Sequence, residues 1–347
     1  MALFVLGFYV LYLGVLLLEH GGPMWFVNQG TYFTQRDPTG TIGYDGQFYY
    51  ALALDPLGAA PHLDSPAYRY QRILYPLVAW GLAFGRPALV PYTLLVVNVV
   101  ATAAAVWVLG RLLARDGVPA VFALGFGLYL GQSIAIGQDL AEPLAYALVT
   151  LAVWLRHLGN AGGSVALHVL AALTKETAVF FALAEVVTAL VRRAWLDAFR
   201  FLAPLAVLLV WQIVLWSWLG RWPADEPTVS LIPLAGLFAE GGLTFARWLN
   251  VVCIVVPGAL WTGWIAWKLR WGVFRDPIAL TLLGNFAFML MLQPKSFAEP
   301  KAAGRLTTGL VLAAILESRH GPPWLRLLTL LLWTVLTPLA LPFMLSR

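Results

Sequence analysis

Charged residues are scarce in this chain, 11% of 347 residues, against roughly 25% in a soluble domain. With 61% hydrophobic residues and a mean hydropathy of +0.79, that shortage excludes an ordinary water-soluble globule and places the chain in a bilayer. Cysteine is nearly missing. Cys253 stands alone in an apolar run, so no disulfide forms within the chain and a cysteine-based metal site is disfavoured. The five histidines (His20, His62, His157, His168 and His320) are scattered, with neither an H-x-x-x-H nor an HExxH pair, which disfavours a zinc hydrolase. No basic tract implies a nucleic-acid partner; the net charge of +5 fits the Lys and Arg that membrane proteins keep in cytoplasmic loops.

What the chain has in quantity is apolar sequence. A span needs roughly 20 apolar residues, and about eleven helices are expected: Leu3–Leu18, Val90–Leu112, Val118–Gly137, Leu140–His157, Ser164–Leu173, Thr177–Val191, Ala198–Leu219, Phe245–Trp267, Pro277–Leu292, Leu306–Leu316 and Trp324–Leu345. The expected fold is therefore all-α, a polytopic transmembrane helical bundle forming one domain over residues 1–347. Several of the 16 Trp residues fall near the ends of these runs, where interfacial rings belong. The first run lacks a basic n-region and an A-x-A site, so it reads as a retained helix ending at Glu19-His20-Gly21-Gly22.

With the N-terminus cytoplasmic, the basic stops Arg111, Arg115, Arg192, Arg193, Lys268 and Arg270 fall inside, as the positive-inside bias requires. This parity holds if Ile73–Phe84 is too short to cross and lies as an interfacial or re-entrant helix. Residues 19–89 then form a large first external loop. The unusual polar groups gather on that outer side: the Asp45 loop, Gln138-Asp139 with Glu142, Lys175-Glu176, and Lys295, Glu299, Lys301 and Arg305.

Asp45 sits in Gly43-Tyr44-Asp45-Gly46-Gln47-Phe48-Tyr49-Tyr50. A carboxylate among rings at a membrane surface suits proton transfer from an alcohol, although Tyr-Asp-Gly is also a turn signal. Arg69 and Arg72 share a helix face if their segment is helical, and guanidinium forks match phosphate oxygens; snorkelling to the interface is the plainer alternative. Asp139 and Glu142-Pro143 open a helix and would serve as caps, with an acceptor-binding role the sharper option. Lys175-Glu176 interrupts an apolar hairpin, where ionisable groups are costly and usually functional. Lys175 would touch a phosphate, and Glu176 would orient it or an acceptor hydroxyl. Arg305 is a further phosphate contact.

The stretches YDGQFYY around Asp45, YRYQRILYPL from Tyr68 to Leu77, DLAEPLAYAL from Asp139 to Leu148 and LAALTKETA from Leu170 to Ala178 resemble the GT-C class of integral-membrane glycosyltransferases. The closer resemblance is to the GPI mannosyltransferase II-like group and to bacterial membrane proteins linked to cell-surface glycopolymers, and it covers the N-terminal half. It implies a polyprenyl-phosphate sugar as donor, a lipid or glycan acceptor among the membrane lipids, and an active site on the outer face of a bacterial plasma membrane. Asp45 would be the general base of an inverting transfer. Arg69, Arg72, Lys175 and Arg305 would neutralise the donor phosphate, and Tyr44, Gln47, Tyr49, Asp139, Glu142 and Glu176 would bind substrate. Gln47 stands where a D-x-D pair would place a second acid, so no metal is expected and a divalent-metal cofactor is not favoured. Two other classes remain open: a non-enzymatic lipid or sugar-lipid transporter, and a structural subunit of an envelope assembly.

Overall fold

The computed structural model describes residues 1–225, 229–238 and 244–345, and among them the chain is all-helical, 79% helix with no strand. Among the described residues, four stretches are long and apolar enough to cross a membrane: Ala2–His20, Pro87–Arg115, Trp195–Leu219 and Arg247–Arg275. A fifth is the pair Ala120–Gly127 and Leu130–Gly137, bent by 49° where one run was expected. The helices that position the site are α1 (Ala2–His20), α2 (Gly46–Leu54), α3 (Pro66–Tyr70), α4 (Leu74–Leu82), α5 (Val90–Arg115), α6 (Leu130–Gly137), α7 (Glu142–His157), α8 (Ala161–Thr174), α9 (Val179–Val191), α10 (Ala203–Leu219), α11 (Pro277–Leu290), α12 (Pro300–Leu306) and α13 (Thr308–Leu316).

Burial separates inner from outer helices. Every residue of α6 and α13 is buried, which explains why both are apolar or uncharged on all sides yet only eight and nine residues long. Around them pack α5, α7 and α11, joined by Tyr146, Leu282, Leu310 and Leu312 in one continuous core. By contrast α1 is 17% buried and Trp195–Leu219 is 28% buried, so Leu3, Leu11 and Leu18 on one and Val210 and Trp216 on the other face outward. In water such faces would be an aggregation surface; in a bilayer they meet acyl chains.

α4 spans nine residues, about 14 Å, so the segment is as short as expected for Ile73–Phe84. The hairpin α8–α9 breaks at Lys175, whose backbone is extended (φ −155°, ψ 125°), again at the expected place. Asn160 starts α8 by accepting a hydrogen bond from the Gly163 N–H at 2.8 Å.

One close approach fixes the end of the bundle that carries Arg305. A Cβ on Gly131 of α6 would lie 2.2 Å from the carbonyl oxygen of Gly304 on α12, so the two backbones touch just before Arg305. Gly131→Ala is expected to destabilise the protein by about 1–3 kcal/mol through overpacking. Gly7→Ala, with nothing within 4 Å, serves as the near-neutral control in a thermal melt in detergent. Equal melting temperatures for the two variants would show that this contact does not hold α12.

Candidate active site

The loop after α1 is pinned at both its flanks. Gln29 bridges Gly43, and the Gln47 amide accepts from the Gly30 N–H at 3.0 Å while donating to the Ile42 carbonyl at 2.8 Å. Gly46 rests on the connection between α6 and α7: a Cβ there would sit 2.3 Å from the Gln138 carbonyl oxygen. Asn28 adds a hydrogen bond to Gln138 Oε1 at 3.1 Å. Asp45 is therefore held at one spot above the bundle. It immediately precedes α2, but its side chain does not cap that helix and points to the cations instead.

Arg69 of α3 forks onto Asp64, with Nε to Oδ1 at 2.7 Å and Nη2 to Oδ2 at 2.6 Å, and its Nη2 also reaches Asp45 Oδ1 at 2.9 Å. Arg305 comes from α12 to the other oxygen, Asp45 Oδ2, at 2.5 Å, with Glu142 3.8 Å away. Beneath, Lys175 Nζ meets Glu142 Oε1 at 2.9 Å, both side chains sealed from solvent. Arg72 forks onto Glu176 at 2.8 and 2.6 Å and donates to the Tyr68 hydroxyl at 2.6 Å. Three of the four cations also lie over rings: Arg69 over Phe48 at 4.4 Å, Arg72 over Tyr68 at 4.3 Å and Arg305 over Tyr44 at 5.4 Å. The loop aromatics are thus platforms for guanidinium groups.

Every cation in this cluster has a carboxylate partner, and every one of Asp45, Asp64, Glu142 and Glu176 has a cation. Burial by itself raises the Asp45 carboxyl, but Arg305 and Arg69 beside it outweigh burial and hold it well below the usual carboxylate range. The neighbouring Tyr44 hydroxyl, also buried, is pushed up to about 12.

A cavity of about 540 Å³, well within the range of small-molecule sites, opens directly over Asp45. Its wall includes Tyr44, Asp45, Gln47, Asp64, Tyr68, Arg69, Glu299 and Arg305. Of the residues given a site role in the sequence, Tyr44, Asp45, Gln47, Arg69 and Arg305 reach it, joined by Lys295 and Glu299 from the late polar loop. Arg72, Lys175, Glu142 and Glu176 form a layer beneath it, linked upward through Arg305. Tyr49, expected at the substrate, is instead in the core at 1% exposure, edge-on to Tyr75 with centroids 5.4 Å apart, because the far side of α2 faces α4. Asp64 and Tyr68 escaped the sequence reading. Asp64 lies just before Ser65-Pro66 at the start of α3, where an acid looks like ordinary helix-entry chemistry.

Asp139 departs furthest from expectation. It does not cap α7: Ala141 occupies the cap position with no side-chain bond. Asp139 has φ +49°, is fully buried, and neither carboxylate oxygen has a hydrogen-bond partner. Burial pushes its carboxyl above the usual carboxylate range, and it lies behind the Asp45 turn and outside the cavity wall.

A second polar cluster closes the opposite end of the same helices. Glu142 and Arg156 lie 14 residues apart on α7, about 21 Å along the axis. There Arg156 pairs with Asp197 at 2.6 Å and Glu185 at 3.6 Å, and Arg319 pairs with Asp276 at 2.5 Å and Glu317 at 3.3 Å. Asp276, Glu317 and His320 are the one group among the described residues spaced to share a metal, and Arg319 already joins its two acids.

Compared with known proteins, the chain matches no family model, no curated protein and no solved structure. The functional reading therefore stands on the motifs and on this geometry.

Proposed function

We propose that the protein is a membrane-embedded glycosyltransferase of GT-C type, which moves a sugar from a polyprenyl-phosphate donor to an acceptor hydroxyl. The observation that carries this reading is the convergence of Asp45 and Arg69, from the first loop, with Arg305, from far along the chain, on one wall of a ligand-sized cavity. A lone acid for the acceptor and guanidinium forks for the leaving phosphate are the two groups that such a displacement needs. The acceptor oxygen bonds to the anomeric carbon with inversion, its proton goes to Asp45, and the C–O bond breaks with its electron pair leaving on the polyprenyl phosphate. Arg72, Lys175, Glu142 and Glu176 hold Arg305 and the α8–α9 break in register beneath the reacting groups.

The membrane placement belongs to the same proposal. The eleven apolar segments are all helical, and we read them as about eleven crossings or partial crossings, the buried short ones packed against longer neighbours. The N-terminus is cytoplasmic and the Asp45 cavity opens on the outer face of a bacterial plasma membrane, where lipid-linked sugars are presented.

The test is transfer of label from a panel of polyprenyl-phosphate hexoses to extracted membrane glycolipids by the purified full chain. Arg305→Gln is expected to raise the apparent KM for the donor at least about tenfold, since it removes a charge-assisted contact to phosphate. Facilitated movement of the labelled lipid across vesicles with no covalent product would replace the transferase with a transporter.

A further inference from the structure

The arrangement of Asp45 between two guanidinium groups has a second implication. We propose that Arg69 and Arg305 form a two-point site for a phosphate ester, which the Asp45 carboxylate fills in the empty protein and vacates when the ester binds. The link to catalysis rests on the transferase reading above; the anion site itself does not.

Three observations meet here. First, Asp45 divides its two oxygens between the two cations, Oδ1 to Arg69 at 2.9 Å and Oδ2 to Arg305 at 2.5 Å. Two non-bridging oxygens of a phosphate ester would meet the same pair of forks. Second, the carboxylate leaves donors unused. Arg69 Nη1 and Arg305 Nε are buried with no hydrogen-bond partner, although Arg69 is itself only 6% exposed. Buried donors without partners are costly. A planar carboxylate offers two oxygens, whereas a tetrahedral phosphate offers a further direction of approach. Third, the guanidiniums do not depend on Asp45 for their positions. Arg69 keeps both bonds to Asp64, Arg305 keeps Glu142 nearby and Tyr44 under its plane, and the cavity opens over both.

The exchange is neutral in charge. A phosphodiester of the sugar-donor kind carries one negative charge, as does the carboxylate it displaces, so the balanced cluster stays balanced. Once displaced, Asp45 no longer lies between two cations. Its basicity rises at the moment when an acceptor hydroxyl needs a base. An Asp45 still locked to both arginines is a weak base, so the site is silent until the donor is seated.

The experiment measures binding of geranyl phosphate and of inorganic phosphate to the purified full chain in detergent, for the wild type, Asp45→Asn, Asp45→Ala and Asp64→Asn. Removing the occupant should tighten geranyl phosphate binding about tenfold or more, because a like charge no longer competes for the same donors. Asp64→Asn removes equal charge from the same guanidinium without emptying the bridge, so its gain should be clearly smaller. Adding Arg305→Gln to either Asp45 variant should erase the gain. Asp45→Ala covers the case in which the Asn variant does not fold. Unchanged or weaker binding in the Asp45 variants, or a gain no larger than that of Asp64→Asn, overturns the proposal. A gain with geranyl phosphate but not with inorganic phosphate supports a prenyl headgroup as the ligand; a gain confined to inorganic phosphate overturns it. Tighter binding in the variants with no sugar transfer by the wild type would keep this site and remove the transferase. Asp45-dependent transfer without the binding gain would do the reverse.

Discussion

Asp45→Asn is expected to lower kcat for sugar transfer by about 10²–10⁴, the range associated with losing a positioned general base, while the protein still folds. The reasoning starts from the geometry. Asp45 lies on the cavity wall with no function in capping α2, and its neighbours Arg69 and Arg305 each retain another carboxylate. The substitution therefore removes a base without stranding a buried cation. Donor affinity should not fall, which separates this variant from Arg305→Gln, where KM carries the effect. Transfer by Asp45→Asn at the wild-type rate would remove Asp45 from the chemistry.

The same residue predicts a pH signature. In the free protein Asp45 faces Arg69, Arg72 and Arg305, with Tyr44, Asp64, Tyr68 and Glu142 around it and Lys295 and Glu299 across the cavity. The arginines depress its pKa, so it remains ionised as the pH falls and protonates only well below the ordinary value of about 3.9. Stability contributed by these pairs is present above that ordinary value and is lost only as pH falls through the depressed one. The acid limb of kcat/KM, which reports the free enzyme, should thus lie lower than the acid limb of kcat, which reports the donor complex. Limbs in the opposite order would show that donor binding does not release the carboxylate.

Much of the architecture was legible in the chain because hydropathy is a local property. The apolar runs are helical, though Val118–Gly137 is split into two helices, the break at Thr174-Lys175-Glu176 is where polar residues interrupt an apolar hairpin, and Ile73–Phe84 is short. Hydropathy does not tell a helix facing lipid from one facing protein. α13 is as apolar as any span, yet it is nine residues long because its whole surface is covered by other helices. The bend after Gly127 was hidden for the same reason, since nothing in an apolar run marks where its axis turns. The site was legible as a set of residue types: Asp45, Arg69, Arg72, Lys175, Glu176, Glu142 and Arg305 do gather at one end. Their pairing was not, because ion pairs between residues more than a hundred positions apart, such as Arg72 with Glu176, follow from tertiary packing alone. The sequence suggested spare cations waiting for phosphate, whereas Arg69, Arg72, Lys175 and Arg305 are each paired with a carboxylate. Asp139 misled because a helix-entry position normally predicts a cap, whereas here Ala141 takes the cap and Asp139, at a positive φ, is buried.

Lys175→Met is expected to destabilise the protein by about 3–5 kcal/mol, the cost of leaving one partner of a buried ion pair without the other. Lys175 and Glu142 are both sealed from solvent, at 0% and 1% side-chain exposure, and their 2.9 Å contact joins the α8–α9 break to the start of α7. Without the ammonium group, Glu142 would keep only the more distant Arg305, and its Oε2 already lacks a partner. Glu142→Gln alone should cost a similar amount by stranding the lysine. The double variant Lys175→Met with Glu142→Gln removes both charges and should recover most of the loss, since a buried pair contributes little net stability over a neutral pair of similar volume. A thermal or denaturant series in detergent on the two singles and the double gives the coupling directly. Additive losses, with no recovery in the double, would mean that the two side chains do not depend on each other. Lys175 would then have to be explained by a contact to a bound ligand, as the sequence first suggested, and the layer beneath the cavity would lose its role as the support for Arg305.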